Sequence, residues 1–192
     1  MKLAVALLAL VFFAQVPPSP RHWAKGSAIR VWIDPDAMPP GGEALVQKAM
    51  DTWTTAAGGR FTLVKAREST APVRLHFMAA DYRYGVTAPR VNPETGLLVR
   101  AEVYVAADAG RDALERQIIV YLTALHELGH ALGMEHTNDI TSIMYLFRQP
   151  DDGEKFFGAY RRRLKSADDI GSSTAKGLSP DDVATLRALY DK

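Results

Sequence analysis

Eleven consecutive residues, HELGHALGMEH, carry the side chains most able to do chemistry. Residues four apart in a helix lie on the same face, so His126 and His130 can both point at one metal ion. Glu127 lies beside the first of them, where its carboxylate can reach a water molecule at that ion. Gly133 can adopt a positive φ and turn the chain back, which would bring His136 round as a third ligand. Three nitrogen ligands leave one tetrahedral position open, a pattern that predicts a catalytic rather than a structural zinc ion.

The alternative is a helix whose histidines are ordinary polar side chains. With 14 Gly and 5 His in 192 residues, the added glycine and third histidine would both fall in place by chance with odds of roughly 0.002. The preceding residues also predict one helix, from about 111 to 132, because Leu114, Ile118, Leu122 and Leu125 recur at helical spacing. Such a helix would hold two ligands in register.

This segment resembles the signature of the metzincin zinc peptidases, HExxHxxGxxH followed by a methionine turn. The turn corresponds to TSIMY, in which Met144 follows His136 by eight residues, a spacing similar to that of the matrixin (matrix metalloproteinase-like) branch. The chain has no cysteine, unlike adamalysins, and has Leu146 where astacins and serralysins carry a tyrosine. The resemblance implies that Met144 forms an apolar base beneath the metal without binding it, although methionine is also an ordinary core residue.

The resemblance covers about residues 28–192 and implies an α+β fold of the zincin (metzincin-like) type. The expected architecture is a twisted, mixed, mostly parallel sheet of about five strands, with an active-site helix and a C-terminal helix. The closing segment LSPDDVATLRALY is similar to the last helix of matrixin catalytic domains, with Ser179 as N-cap and Pro180 as first helical residue.

The strand before the active-site helix is a candidate substrate site. By resemblance, Leu98–Val103 would be the edge of the sheet above the zinc, where an extended peptide could pair; the alternative is an edge strand that binds no ligand. The residues that the sequence predicts to bind substrate, in this strand and after the methionine, are Leu98, Val99, Arg100, Ala101, Tyr145 and Leu146.

One catalytic zinc ion is the cofactor that the sequence predicts. Matrixins also carry a second, structural zinc, but no matching ligand set is recognisable, because His22 and His76 lie far apart in sequence. We predict His76, in VRLHF, to be a hydrogen-bonded strand residue. Calcium is possible, although the calcium loops of the family are not evident.

The chemistry predicted from these residues is hydrolysis of peptide bonds. Zinc would lower the pKa of a water molecule, and Glu127 would take its proton and deliver it to the leaving amine. The partner would be an extended peptide or protein substrate of an exported endopeptidase. Two alternatives stay open: a catalytically inactive zincin-like protein that binds peptides, and a zinc hydrolase of a non-peptide amide such as a cell-wall crosslink.

The N-terminal sequence predicts export. MKLAVALLALVFFA has a basic start and a short apolar run, which is typical of a signal peptide over about residues 1–14, with an uncleaved membrane anchor as the alternative. Residues 15–27 would be a short disordered linker and 28–192 the catalytic domain. The prediction is a secreted or periplasmic protein with no stable membrane insertion after cleavage. The net charge of +1 gives no reason to expect nucleic acid binding, and nothing in the sequence indicates an oligomeric state.

Residues 148–177 form a long segment between the methionine turn and the last helix. It combines a basic cluster, Arg161–Arg163 with Lys165, and aromatic residues at Phe156, Phe157 and Tyr160. This composition suggests a partner or specificity loop at the rim of the cleft; the alternative is a solvated helix or mobile loop.

Overall fold

The computed structural model describes residues 21–81 and 83–191. The predicted signal peptide lies outside the described residues, as do residues 15–20 of the predicted linker. The elements that the described residues form are, in chain order, β1 (Ser27–Ile33), α1 (Gly42–Ala57), β2 (Phe61–Ala66), β3 (Val73–Met78), β4 (Gly85–Val91), β5 (Leu98–Ala106), α2 (Ala113–Ala131), α3 (Asp152–Arg161) and α4 (Pro180–Tyr190). None of the helices in this part of the chain has the length and apolar character needed to cross a bilayer.

The five strands form one sheet in the order β2-β1-β3-β5-β4. Neighbouring strands from β2 to β5 in this order pair in parallel, and the last strand in the order, β4, pairs antiparallel with β5. Alternation along β1 puts Ile29, Val31 and Ile33 into the core, and α1 and α2 pack together on the sheet. The predicted α+β fold with a mostly parallel sheet of five strands is therefore confirmed.

The edge of the sheet is β4, so the prediction that Leu98–Val103 forms the edge is wrong. β5 pairs with β3 through Val73 and Ala101, and with β4 through Arg90 and Arg100. β4 and β5 form a hairpin whose turn closes at Gly96, with a φ of 70°. The first strand of this hairpin, β4, lies on the outer side of the second, β5. Since both sides of β5 are occupied, its backbone is not available to a peptide.

The active-site helix α2 begins and ends close to the predicted residues. Asp112 is its N-cap and accepts a hydrogen bond from the Glu115 backbone N–H at 2.9 Å. Ile118, Leu122 and Leu125 are at most 2% exposed, because their spacing places them on the face that packs on the core. The helix ends at Ala131 with Leu132 as its C-cap, and Gly133, with a φ of 99°, turns the chain directly after it, as the sequence predicted.

An N-terminal strap, residues 21–26, packs against the end of α2. The Trp23 indole is 7% exposed, and its Nε1–H donates to the Ala131 carbonyl at 2.8 Å. The Leu98 backbone N–H donates to the His22 carbonyl at 2.9 Å. The prediction of a disordered linker is therefore wrong for these residues, because a buried indole with a satisfied N–H fixes them on the domain.

Candidate metal centre

Three imidazoles converge at the end of α2. His126 and His130 lie on successive turns of one helical face, and their three candidate ligand atoms with His136 lie within 4.8 Å of one another. The Nε2 atoms of His130 and His136 are 3.1 Å apart. Two nitrogen ligands on a tetrahedral zinc ion stand about 3.3 Å apart, so the spacing fits one zinc ion.

The chain reverses at Gly133, and this turn is what brings His136 to the helix. The Gly133 N–H donates to the His130 carbonyl, and the Met134 N–H donates to the Gly129 carbonyl, both at 3.0 Å. A side chain at Gly133 would need the left-handed conformation and would also collide with the Arg21 carbonyl of the strap. The position therefore requires glycine.

Hydrogen bonds orient two of the three rings. Nδ1 of His126 lies 2.6 Å from the Ile143 carbonyl oxygen, and Nδ1 of His130 lies 2.8 Å from that of Met134. A carbonyl oxygen only accepts, so we assign the proton to each Nδ1, which leaves each Nε2 lone pair free for a metal.

Burial also keeps these imidazoles neutral. Burial and the neighbouring His130 lower the pKa of His126 to about 4, and burial lowers the pKa of His130 and of His136. Metal ligation requires neutral imidazole, so the rings are in the required protonation state at neutral pH. The donor set fits zinc in number, spacing and charge.

The methionine turn packs directly on α2. Met144 is 1% exposed, and its Sδ would lie only 2.5 Å from a Cβ at Gly129. Gly129 precedes His130 and lies in the motif at a position that the sequence pattern leaves free. Its lack of a side chain lets the methionine contact the helix between the turns that carry the two histidines.

Asp182 joins the first turn of α4 to the methionine turn. Its carboxylate accepts from the Ser142 hydroxyl at 2.5 Å and from the Ile143 N–H at 3.0 Å. It also accepts from the Ser179 N–H at 2.7 Å and completes the capping box of α4. Because the Ile143 carbonyl in turn orients His126, Asp182 supports the metal site from the far side. Sequence analysis did not identify this contact, because Asp182 and Ile143 are 39 residues apart in the chain.

Glu127 is buried beside the triad of His126, His130 and His136, with 4% of its surface exposed. Burial raises the pKa of Glu127 to about 7, against the opposing effect of a hydrogen bond from Thr87. The Thr87 hydroxyl lies 2.7 Å from Glu127 Oε2 and 2.9 Å from the Glu127 carbonyl oxygen. A Cβ at Gly85 would lie 2.7 Å from Glu127 Oε1. Sequence analysis did not identify Thr87 or Gly85, because their proximity to Glu127 depends on the strand order.

Among the described residues, no strand pairs with the outer side of β4. The Ala106 N–H donates to the Tyr84 carbonyl at 2.7 Å, and the register places Gly85 opposite Val105. Because hydrogen-bonded pairs alternate in an antiparallel ladder, the backbone groups of Gly85, Thr87 and Pro89 point away from β5. Proline has no N–H, so Gly85 and Thr87 supply the free donors over residues 85–89.

A cleft of about 1430 Å³ runs past the triad. Of the residues predicted to bind substrate, Leu98, Tyr145 and Leu146 line it. Ala101 is instead fully buried within the sheet, and Arg100 donates to Glu102 at 2.9 Å. Val99 is 48% exposed on the same strand and, like these two residues, is not part of the cleft lining.

The segment 148–177 contributes two of the four rings, Phe156 and Phe157, that form an aromatic wall of the cleft. Tyr84, Phe147, Phe156 and Phe157 lie with neighbouring ring centroids 4.9–5.9 Å apart, and all four line the cleft. Arg161 of the basic cluster instead pairs with Asp112 at 2.8 Å. The part of this segment that forms α3 is therefore a rim element of the cleft.

His76 lies in β3 and is hydrogen-bonded, as the sequence predicted. Its Nδ1 is 2.7 Å from Asp34 and its Nε2 is 3.2 Å from Glu102. Burial alone would raise the pKa of Glu102, but hydrogen bonds from Arg74, His76 and Arg100 lower it to about 2. These residues form an ion-pair network on the sheet, separate from the triad.

Comparison with known proteins agrees with this geometry. The family model described as Matrixin matches residues 34–169, well over half of the chain. The chain is 30% identical over 108 residues to an interstitial collagenase of Oryctolagus cuniculus, which covers 52% of the chain and 22% of that protein. It is 25% identical over 155 residues to matrix metalloproteinase-C of Caenorhabditis elegans, and the matched stretch makes up 76% of the chain and 24% of that protein. A segment of 37 residues is 54% identical to human matrix metalloproteinase-16; it makes up 19% of the chain and 6% of that protein. The chain thus spans a quarter or less of the length of these relatives.

Proposed function

The chain belongs to the matrixin family, and on that premise we propose that it is an exported zinc-dependent endopeptidase with Glu127 as its general base. One observation carries this proposal above the others. Three neutral imidazole nitrogens converge within 4.8 Å beside a buried carboxylate whose pKa is raised to about 7. That combination suits the hydrolysis of an unactivated amide at neutral pH.

His126, His130 and His136 would hold the zinc ion. When bound, zinc supplies a Lewis acid that lowers the pKa of a water molecule and polarises the carbonyl of the scissile bond. The two Nδ1–H groups keep their rings turned so that Nε2 faces the site. Met144 and Gly129 form the apolar packing under these rings.

Glu127 would move the proton. Its carboxylate accepts a proton from the attacking water and then delivers it to the nitrogen of the leaving amine. In the metal-free protein, burial raises the pKa of Glu127, and a carboxylate with a raised pKa is a stronger base than an exposed one. No side chain forms a covalent bond to the substrate in this mechanism.

An extended peptide would lie along β4, which replaces β5 as the proposed substrate strand. The outward N–H and C=O groups of Gly85 and Thr87 can pair with a peptide backbone without demanding a particular sequence. Leu98, Tyr145 and Leu146 line the same cleft and would contact substrate side chains. The aromatic wall would favour a large apolar substrate residue after the scissile bond, on the side of the leaving amine.

These features favour a peptidase over the two alternatives that the sequence left open. An inactive binding protein has no use for a buried carboxylate held by a second strand. A hydrolase of cell-wall amides has no use for a free sheet edge beside the reacting groups. Export is proposed from the apolar segment at residues 1–14; recovery of a protein shortened near residue 14 from the periplasm or medium would support it.

The first test is cleavage of a diverse peptide library by the zinc-loaded protein. We expect Glu127→Gln to lower turnover by about 10²- to 10⁴-fold, because proton transfer contributes that much, while the zinc content measured on the same samples stays at one ion per chain. Glu68→Gln, at an exposed loop position, is the matched control and should cleave normally. Equal turnover in Glu127→Gln would refute the assignment, and a zinc-loaded wild type that cleaves no peptide would favour one of the alternatives.

A further inference from the structure

The structure assigns to Thr87 a role in positioning the general base, one that depends on the proposed peptidase function. We propose that the Thr87 hydroxyl holds Oε2 of Glu127, so that Oε1 stays beside Gly85 in the cleft. The two oxygens of the carboxylate then have different tasks: one is anchored by the protein and the other faces the reacting groups.

The Thr87 hydroxyl has one proton to donate, and Oε2 is the nearer of the two Glu127 oxygens within its reach. Thr87 Oγ1 lies 2.7 Å from Oε2 and 2.9 Å from the main-chain carbonyl of Glu127. Threonine is branched at Cβ, so its χ1 is restricted in a strand. A glutamate side chain has three rotatable torsions, and this hydrogen bond at its tip restrains its orientation.

No second hydroxyl duplicates this contact in residues 21–81 and 83–191. Thr123 is one helical turn before Glu127 and 4% exposed, but its Oγ1 has no hydrogen-bond partner among the described residues. Its Cγ2 instead lies where it would meet a Cβ at Gly85. The anchoring of Oε2 therefore comes from β4 and not from the helix that carries Glu127.

The location of Thr87 connects substrate docking to the base. Its backbone N–H and C=O face away from β5, on the side where a peptide would pair, while its side chain reaches Glu127. A change confined to the side-chain hydroxyl leaves the pairing groups in place. The proposal therefore predicts an effect on kcat with little effect on KM.

The test compares Thr87→Val, Thr87→Ser and the control Thr62→Val, an exposed position of β2. Valine keeps the branched shape and lacks the hydroxyl, so we expect kcat to fall by about 10- to 100-fold. KM and zinc content should stay at wild-type values, while the thermal midpoint should fall by a few degrees, because Glu127 loses a hydrogen-bond donor. Thr87→Ser should recover most of the loss, and Thr62→Val should show none.

Crystal structures of the zinc-loaded wild type and Thr87→Val give a readout independent of turnover. The proposal expects the Glu127 carboxylate to leave its wild-type position in the valine variant. It is overturned if kcat is unchanged in Thr87→Val, if serine fails to restore it, or if Glu127 stays in place. A wild type that cleaves no peptide contradicts the peptidase function itself, and the position of Glu127 in the two crystals still decides whether Thr87 anchors it.

Discussion

Single residues determine how closely β4 and the methionine turn can approach α2, the helix that carries the candidate metal ligands. Gly85 lies against Glu127, and Gly129 lies against Met144, each at a place where a methyl group would not fit. The triad and Glu127 could be predicted from sequence because they lie within one helix and one turn. Gly85, Thr87 and Asp182 could not, since each reaches its partner across about 40 residues of chain.

Gly85→Ala should reduce turnover without removing zinc. The new Cβ would lie 2.7 Å from Cγ and Oε1 of Glu127, so the carboxylate must move while the histidines keep their positions. We expect kcat to fall by about 100-fold, as for a misplaced catalytic group, in assays that record zinc content in parallel. Gly158→Ala is the control, because a Cβ there meets only Arg162 at 3.5 Å. Wild-type turnover in Gly85→Ala would show that the strand can yield.

At the scale of elements, the periodicity of the sequence predicted where helices and strands lie but not which neighbours they take. β4 and β5 form a hairpin that closes at Gly96, yet which of its strands lies at the edge depends on the pairing of β5 with β3. The order of the strap could not be predicted, because the partner of Trp23 is the Ala131 carbonyl, 108 residues away. Long-range pairing of this kind leaves no local pattern.

Asp182→Asn should weaken both α4 and the metal site. An amide has one acceptor oxygen, so it cannot satisfy the donors from Ser142, Ile143 and Ser179 that the carboxylate accepts. We expect a loss of about 2–3 kcal/mol in the free energy of unfolding, measured by urea denaturation. Zinc affinity in competition titrations should also fall, because Ile143 orients His126. Asp181→Asn, exposed on the same turn, is the control; equal losses in the two variants would contradict the specific role of Asp182.

For the whole molecule, stability must come from the core and from polar networks, because the chain has no cysteine. The network of Glu102 with Arg74, His76 and Arg100 ties β3 to β5. Hydrogen bonds from these residues depress the pKa of Glu102 to about 2, from an ordinary 4.5. A carboxylate with a depressed pKa stabilises the fold above the unfolded-state value and loses that contribution as the pH falls through the folded-state value.

Acid should therefore destabilise the wild type more than Glu102→Gln. Between about pH 4.5 and pH 2, the wild type should lose about 3 kcal/mol that the variant never had. Urea denaturation of the metal-free proteins at several pH values measures this difference, because loss of zinc cannot contribute and the three histidines titrate alike in both proteins. Glu68→Gln should follow the wild-type curve. Parallel curves for wild type and Glu102→Gln would mean that the network contributes no pH-dependent stability.

Pro89 has a consequence for how this protein behaves at high concentration. A bare sheet edge is a template on which a second copy of the same strand can stack, and repeated stacking leads to fibrils. Such growth needs a donor at every second residue, and the edge between Gly85 and Val91 is interrupted at Pro89. Pro89 therefore disfavours the stacking of a second copy along the whole edge, while Gly85 and Thr87 keep the donors with which we propose that a substrate pairs.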